Sequence, residues 1–408
     1  MAQDTQTRVR PGWYLLGPAF VAAIAYVDPG NVAANVSAGA QFGFLLVWVI
    51  LVANIMAGLV QYLSAKLGLV TGRSLPESVG DHTRTPTRIA YWLQAEAVAM
   101  ATDLAEVVGG AIALHLLFDL PLLVGGIITG VVSMLLLALQ NRRGQQVFER
   151  VITGLLLIIA IGFLTSLFVE PPAPSAVAGG LIPQFAGPES VLLAAAMLGA
   201  TVMPHAVYLH SGLARDRHGQ PEAGAPRRRM LRITRIDVGI AMLIAGAVNL
   251  AMLLVAATNL QGMDNTDSIE GAHAAVADTL GPVVALFFAV GLLASGLAST
   301  SVGAYAGAMI MSGLLRRNYP LLLRRVVTLI PALLILGIGV DPSRALVISQ
   351  VVLSFGIPFA LIPLVRLTSD RALMGDDVNH RVTTALGWLV AGIIIVLNIV
   401  LIYLTVRG

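Results

Sequence analysis

The sequence predicts an all-α polytopic membrane protein of about eleven transmembrane helices, built as a 5+5 inverted repeat whose helices 1 and 6 are discontinuous. Three observations carry that prediction. Of 408 residues, 57% are hydrophobic and only 12% are charged, where an ordinary soluble domain is about 25% charged. Apolar runs of about twenty residues, the length that crosses a bilayer core, recur from end to end, with arginine and lysine in alternate connections. The first and sixth of these runs are each interrupted near the middle by a proline beside polar side chains.

In chain order the runs cover 13–38, 44–68, 89–116, 121–140 and 150–169, then 189–212, 233–257, 280–314, 322–340, 344–366 and 384–406. Each can cross a hydrocarbon core of about 30 Å. None resembles the alternating strands of about ten residues that build an outer-membrane barrel. The first run follows the polar stretch "MAQDTQTRVR", which shows no cleavable signal peptide. The third is apolar apart from a set of acids. The fifth ends at a Pro- and Gly-rich connection, 170–188, and the sixth leads into an Arg-rich one, 213–232. The ninth opens on Arg324 and Arg325. The 41 glycines suit helices that approach closely in lipid.

Of the 25 lysines and arginines, 23 fall on one side of this arrangement and only Arg344 and Arg407 on the other. By the positive-inside rule the N-terminus is cytoplasmic and, with an odd number of spans, the C-terminus is external. The expected organisation is a cytoplasmic tail at 1–12, a first five-helix repeat at 13–170 and an external loop at 171–188. A second repeat follows at 189–367, then a cytoplasmic loop and an additional helix at 368–408. The expected location is the cytoplasmic (plasma) membrane. With no cysteine, disulfides, thiolate metal sites and thiol catalysis are all excluded.

Ionisable groups inside a bilayer cost about 3 kcal/mol or more and normally face a bundle interior or a water path. In the first run, "YVDPGN" places Asp28, Pro29, Gly30 and Asn31 at mid-span. Proline removes a backbone donor and glycine loosens the helix. The helix should therefore open there, freeing carbonyls around Ala25 beside a carboxylate and an amide. The plainer reading is a proline kink with an incidental polar pair. In the sixth run, "TVMPHAV" sets Met203 and His205 around Pro204. A lone methionine is packing more often than ligand, but here it lies beside a second break, five spans from the first. Discontinuous helices at equivalent positions of two inverted repeats form a midplane site.

The third run carries Glu96, Asp103 and Glu106 at spacings of seven and three, close to one helical face. They form a proton path, or structural acids paired with arginines such as Arg324 and Arg325, and both can hold at once. Single amides also occur in the membrane; Asn249 in the seventh run reads as a helix-to-helix bond.

The donors at the two breaks are one carboxylate, one amide oxygen, freed carbonyls and a thioether. Oxygens suit Mg²⁺, Ca²⁺ and Mn²⁺, and the softer sulfur disfavours the alkaline-earth ions. The set therefore favours Mn²⁺ or Fe²⁺, held weakly enough for release. His205 and Asp103 are the natural groups for compensating proton movement. No HExxH, GxSxG or phosphate loop occurs, so no enzyme is expected. The arginines are explained by topology rather than by nucleic acid.

"DPGN" in the first run together with "MPH" in the sixth resembles the natural-resistance-associated macrophage protein (Nramp) family of divalent metal transporters. The likeness extends over essentially the whole chain, through the number of spans, the cytoplasmic N-terminus and the places of both motifs. It implies a LeuT-like fold. It also implies a secondary transporter importing Mn²⁺, and also Fe²⁺, coupled to inward proton movement by alternating access. The resemblance implies ligation by Asp28, Asn31 and Met203, with the carbonyls of Ala25 and Ala200 contributing in different states and Gln350 approaching on occlusion. It implies a proton path through His205, Asp103 and Glu106, with Glu96 further along and Arg325 and Arg324 as basic partners. Arg217 resembles a gate residue at the cytoplasmic end of the sixth span. Members that carry Mg²⁺ or Al³⁺ lack the methionine, which this sequence keeps.

The metal is then substrate, with no cofactor. The expected partners are divalent metal ions, protons and the lipid bilayer, with no nucleic acid and no obligate protein partner. Two alternatives remain at this stage. One is a proton-coupled amino-acid symporter on the same fold, against which the Asp28 carboxylate argues. The other is a metal-sensing membrane protein without flux.

Overall fold

A computed structural model describes residues 17–143, 145–263, 268–316 and 321–407. The expected tail 1–12 lies outside them, as do the side chains of Arg142, Arg143 and Arg317. The first run forms α1 (Pro18–Ile24), a 3₁₀ turn (Ala25–Val27) and α2 (Pro29–Phe42). Then come α3 (Val47–Thr71), the short α4 (Leu75–His82), α5 (Thr85–Phe118), α6 (Leu122–Arg143) and α7 (Gln145–Val169). A short α8 (Pro174–Gly179) leads to the second broken helix, α9 (Pro188–Thr201) and α10 (Pro204–His218). The chain continues through α11 (Ala225–Asn259), α12 (Ile269–Leu280), α13 (Pro282–Leu315), α14 (Leu321–Ile338), α15 (Pro342–Thr368), α16 (Arg371–Met374) and α17 (Arg381–Arg407). Among the described residues there is no strand.

In its described residues each of the eleven expected runs is helical. Among the described residues eight stretches are long and apolar enough to cross a membrane, and one of these, Pro29–Thr71, is a double length joined through a tight turn. Pro18–Val27 and Leu122–Leu135 are shorter apolar helices.

The helices overrun the apolar runs at their polar ends. α11 starts at Ala225 rather than 233, because a backbone helix continues into water after the hydrophobic signal stops. α4 and α12 fall in connections that hydropathy passes over, yet each carries a start signal. Ser74 and Glu77 form a capping box, and Ser268 accepts a bond from Gly271 N at 3.0 Å.

Proline alone does not make the two breaks, since Pro331, Pro358 and Pro363 lie inside continuous helices. Pro29 and Pro204 instead each occupy the first turn of a new helix, preceded by an extended residue. At the first break Asp28 (φ −72°, ψ 168°) is the N-cap of α2, and its carboxylate accepts Asn31 N at 2.7 Å. At the second break Met203 (φ −66°, ψ 123°) precedes α10 and makes no capping bond from its side chain.

The broken helices lie at the centre of the bundle. α2 packs chiefly on α11, α10 on α3, α9 on α15 and α5 on α13, while α17 rests outside on α15 and α9. Two glycines set how closely the central elements meet. A Cβ on Gly109 of α5 would lie 2.0 Å from the Pro29 ring, and one on Gly199 of α9 would lie 2.0 Å from the Gln350 carbonyl oxygen.

Candidate metal site

Local sequence builds the first half of the site. Because Asp28 caps α2, one carboxylate oxygen is aimed at the Asn31 backbone. The same Oδ1 accepts the Asn31 side-chain Nδ2 at 2.9 Å. The second half comes from α9, where the Ala200 carbonyl, near the end of its helix, accepts that Asn31 Nδ2 at 2.9 Å. Gln350 of α15 completes the group, with Nε2 at 3.4 Å from Asp28 Oδ2. Its amide occupies the space a side chain on Gly30 would need, so Gly30 serves close approach as well as the break.

Asp28, Asn31, Gln350, Met203, Ala25 and Ala200 are all essentially inaccessible, so the site is occluded. The structure thus joins Asp28, Asn31, Ala200 and Gln350 through hydrogen bonds. Ala25 sits in the turn and Met203 at the second break.

Two oxygens in this group have no partner, Asn31 Oδ1 and Gln350 Oε1. A buried amide oxygen left unbonded costs about 1–3 kcal/mol, and two of them flank a single carboxylate. Among the described residues no group of three His, Asp or Glu side chains is arranged to chelate an ion. The group therefore offers one carboxylate, that of Asp28, together with neutral amide and carbonyl oxygens.

The backbone freed by the first break is held by side chains that the sequence reading assigned elsewhere or passed over. Asn249 of α11 donates to the Tyr26 carbonyl at 2.7 Å and accepts Asn35 Nδ2 at 2.9 Å. It is thus a helix-to-helix bond, as expected, but one made to unwound backbone. Ser295 of α13 donates to the Val27 carbonyl. Gln61 of α3 links Tyr26 to His210, whose Nδ1 lies 2.7 Å from Gln61 Oε1. Single polar residues in apolar runs were the available signal, but nothing in their spacing names the partner.

The expected acids separate into two kinds. Glu96 pairs with Arg324 at 3.1 Å, and Asp103 with Arg325, both pairs largely buried. Both carboxylate oxygens of Glu106 are buried without a hydrogen-bond partner. Glu106 lies beside Gly303 of α13, and the Arg324 guanidinium fills the space a side chain on Gly307 would need. His205 is buried one residue beyond Pro204, with Nδ1 3.3 Å from Thr102 Oγ1. Glu96 and Asp103 are thus paired acids, and Glu106 is not.

Arg217 pairs with Glu149, at the start of α7, with Nε and Oε2 3.4 Å apart. Glu149 was not among the expected residues, although an acid opening an apolar run was visible. Asp237 of α11 accepts Gly17 N at 3.1 Å and Ala19 N at 3.0 Å, fastening the foot of α1.

The fold and the site define the class: a polytopic α-helical membrane protein of the LeuT-like 5+5 architecture, with a buried cluster of polar groups where its two broken helices meet. Residues 19–404 match the family described as natural resistance-associated macrophage protein-like. The chain belongs to the Nramp family. It is 71% identical over its whole length to a divalent metal cation transporter, MntH, of Mycobacterium tuberculosis (strain ATCC 25618 / H37Rv), covering 95% of that protein. Among solved structures it resembles a manganese transporter of Eremococcus coleocola in a mutant form. That likeness has a TM-score of 0.85 at 31% identity, over 96% of this chain and 87% of that one. MhsT, solved with L-phenylalanine, shares the fold at a TM-score of 0.60 and 14% identity, over 95% of this chain and 97% of that one.

Proposed function

We propose that the protein imports divalent transition-metal ions, Mn²⁺ and also Fe²⁺, across the cytoplasmic membrane, coupled to inward proton movement by alternating access. The observation that carries this reading is the pair of unbonded amide oxygens, Asn31 Oδ1 and Gln350 Oε1, beside the Asp28 carboxylate. An arriving cation would draw those oxygens toward itself while Asp28 supplies the charge. A half-turn of either amide exchanges its nitrogen for its oxygen at little steric cost. The carbonyls of Ala200 and Ala25 serve as further ligands in different states, and Met203 biases the set toward softer ions. The printed names of the relatives, a divalent metal cation transporter and a manganese transporter, agree with this reading.

Protons take a separate route through His205, Asp103, Glu106 and Glu96, with Arg325 and Arg324 holding two of the acids. Arg217, paired with Glu149, gates the cytoplasmic side. The N-terminus is cytoplasmic and the C-terminus external. The repeats are 13–170 and 189–367, joined by the external loop 171–188, with the cytoplasmic loop and extra helix at 368–408. An amino-acid symporter of the same fold is disfavoured because Asp28, fully buried at the broken helix, would repel a substrate carboxylate.

The test is Mn²⁺ uptake into proteoliposomes with internal pH recorded together. Wild-type protein should take up Mn²⁺ and acidify the lumen, and Asp28→Ala should abolish metal uptake. Unchanged uptake by that variant would remove Asp28 from the site and with it this reading.

A further inference from the structure

An open cavity of about 580 Å³ lies away from the metal site, between α4, the start of α5, the end of α15 and α17. Arg366, His82, Tyr91 and Ser369 give its wall polar groups, and Ile362 and Trp388 give it an apolar one. Among the described residues the Arg366 guanidinium meets no carboxylate within ion-pair distance. His82 uses Nδ1 on the Ser78 carbonyl at 2.7 Å, which leaves Nε2 outside that bond. The acid at the rim, Asp370, has Oδ1 occupied by Ala372 N at 2.8 Å.

Trp388 also lines a second, almost wholly apolar trough of about 620 Å³ between α3, α9 and α17. A basic, hydroxyl-bearing mouth thus adjoins a hydrocarbon-lined channel through one indole. Tryptophan commonly marks the headgroup level of a bilayer, and basic pockets between transmembrane helices at the cytoplasmic side accept anionic headgroups.

We propose that this cavity binds one anionic phospholipid. Its phosphate sits on Arg366 and His82, its headgroup hydroxyls meet Tyr91 and Ser369, and an acyl chain passes Trp388 into the trough. A free phosphate offers the same charge, but it leaves Ile362, Trp388 and the trough bare. The apolar trough on the other side of the shared Trp388 favours the lipid. Only the leaflet that supplies it rests on the orientation proposed above. The site touches α15, the helix that carries Gln350.

Native mass spectrometry of the purified, delipidated full chain tests this without reference to metal or proton flux. Phosphatidylglycerol and phosphatidylcholine with matched chains are titrated in turn. Phosphatidylglycerol should be retained preferentially, as one molecule per chain. Arg366→Gln should lower that retention about fivefold, the worth of one basic residue near anionic lipid. Arg366→Lys should restore most of it, which separates loss of charge from loss of folding. Arg381→Gln, exposed and outside the cavity, should leave it unchanged. Equal retention of the two lipids, no loss in Arg366→Gln, or displacement of the lipid by inorganic phosphate would each overturn the proposal.

Discussion

At the scale of single residues, the decisive feature is that one side chain holds two offices. Asp28 caps α2 and, among the described residues, is also the only carboxylate joined to the candidate metal site. Removing it would lose a cap and the site's carboxylate together, so an effect on stability should accompany any effect on transport. Met203 is different. It makes no capping bond, so its contribution is its sulfur and its bulk. Met203→Ala should keep part of the Mn²⁺ uptake while Ca²⁺ competes about tenfold better, equivalent to ~1.4 kcal/mol. Competition by Ca²⁺ measured in the uptake assay decides this, and an unaltered Ca²⁺ effect would remove the thioether from selectivity. Asp28, Asn31, Met203 and His205 were legible in the sequence because each lies within two residues of a proline inside an apolar run. Glu149, Ser295 and Gln61 were not, because a single polar residue in such a run gives no direction. Gln350 was identified only through family resemblance.

At the scale of elements, the broken helices depend on partners that satisfy what the breaks expose. Irregular backbone at membrane depth is tolerated only where it is buried in protein or lines water. Here the Tyr26 carbonyl is met by Asn249 and the Val27 carbonyl by Ser295. Asn249→Leu keeps the branched shape but strands the Tyr26 carbonyl and the Asn35 amide. It should lower stability by about 1 kcal/mol, the usual range for polar contacts between transmembrane helices. Thermal unfolding in detergent measures this, and an unchanged or higher midpoint would show that water or another group satisfies the carbonyl. The helices themselves were legible from hydropathy, and the breaks from proline with its neighbours. The prolines at 331, 358 and 363 show the limit of that signal, since each lies within a continuous helix. What separates them from Pro29 and Pro204 is the extended residue before each break.

At the scale of the whole molecule, orientation is the proposal most directly open to test. The absence of cysteine makes every introduced thiol unique. Leu181→Cys, exposed in the connection after α8, should react with an impermeant maleimide on intact cells. Arg228→Cys, exposed near the start of α11, should react only after permeabilisation. The opposite pattern would invert the topology. The sequence by itself determined the membrane class, the number of spans, the two breaks and the residues at each, because these follow from composition and short-range pattern. Only the tertiary structure decided that Glu96 and Asp103 are ion-paired while Glu106 has no hydrogen-bond partner, and that Asn249 and Ser295 hold the unwound turn. It likewise decided that Gly30, Gly303 and Gly307 leave room for Gln350, Glu106 and Arg324. The two ion pairs join positions 228 and 222 apart, the contacts to Tyr26 and Val27 join positions 223 and 268 apart, and Asp28 and Gln350 are separated by 322. Local propensity carries no information across such distances, and only the packing of the bundle brings the groups within reach of one another.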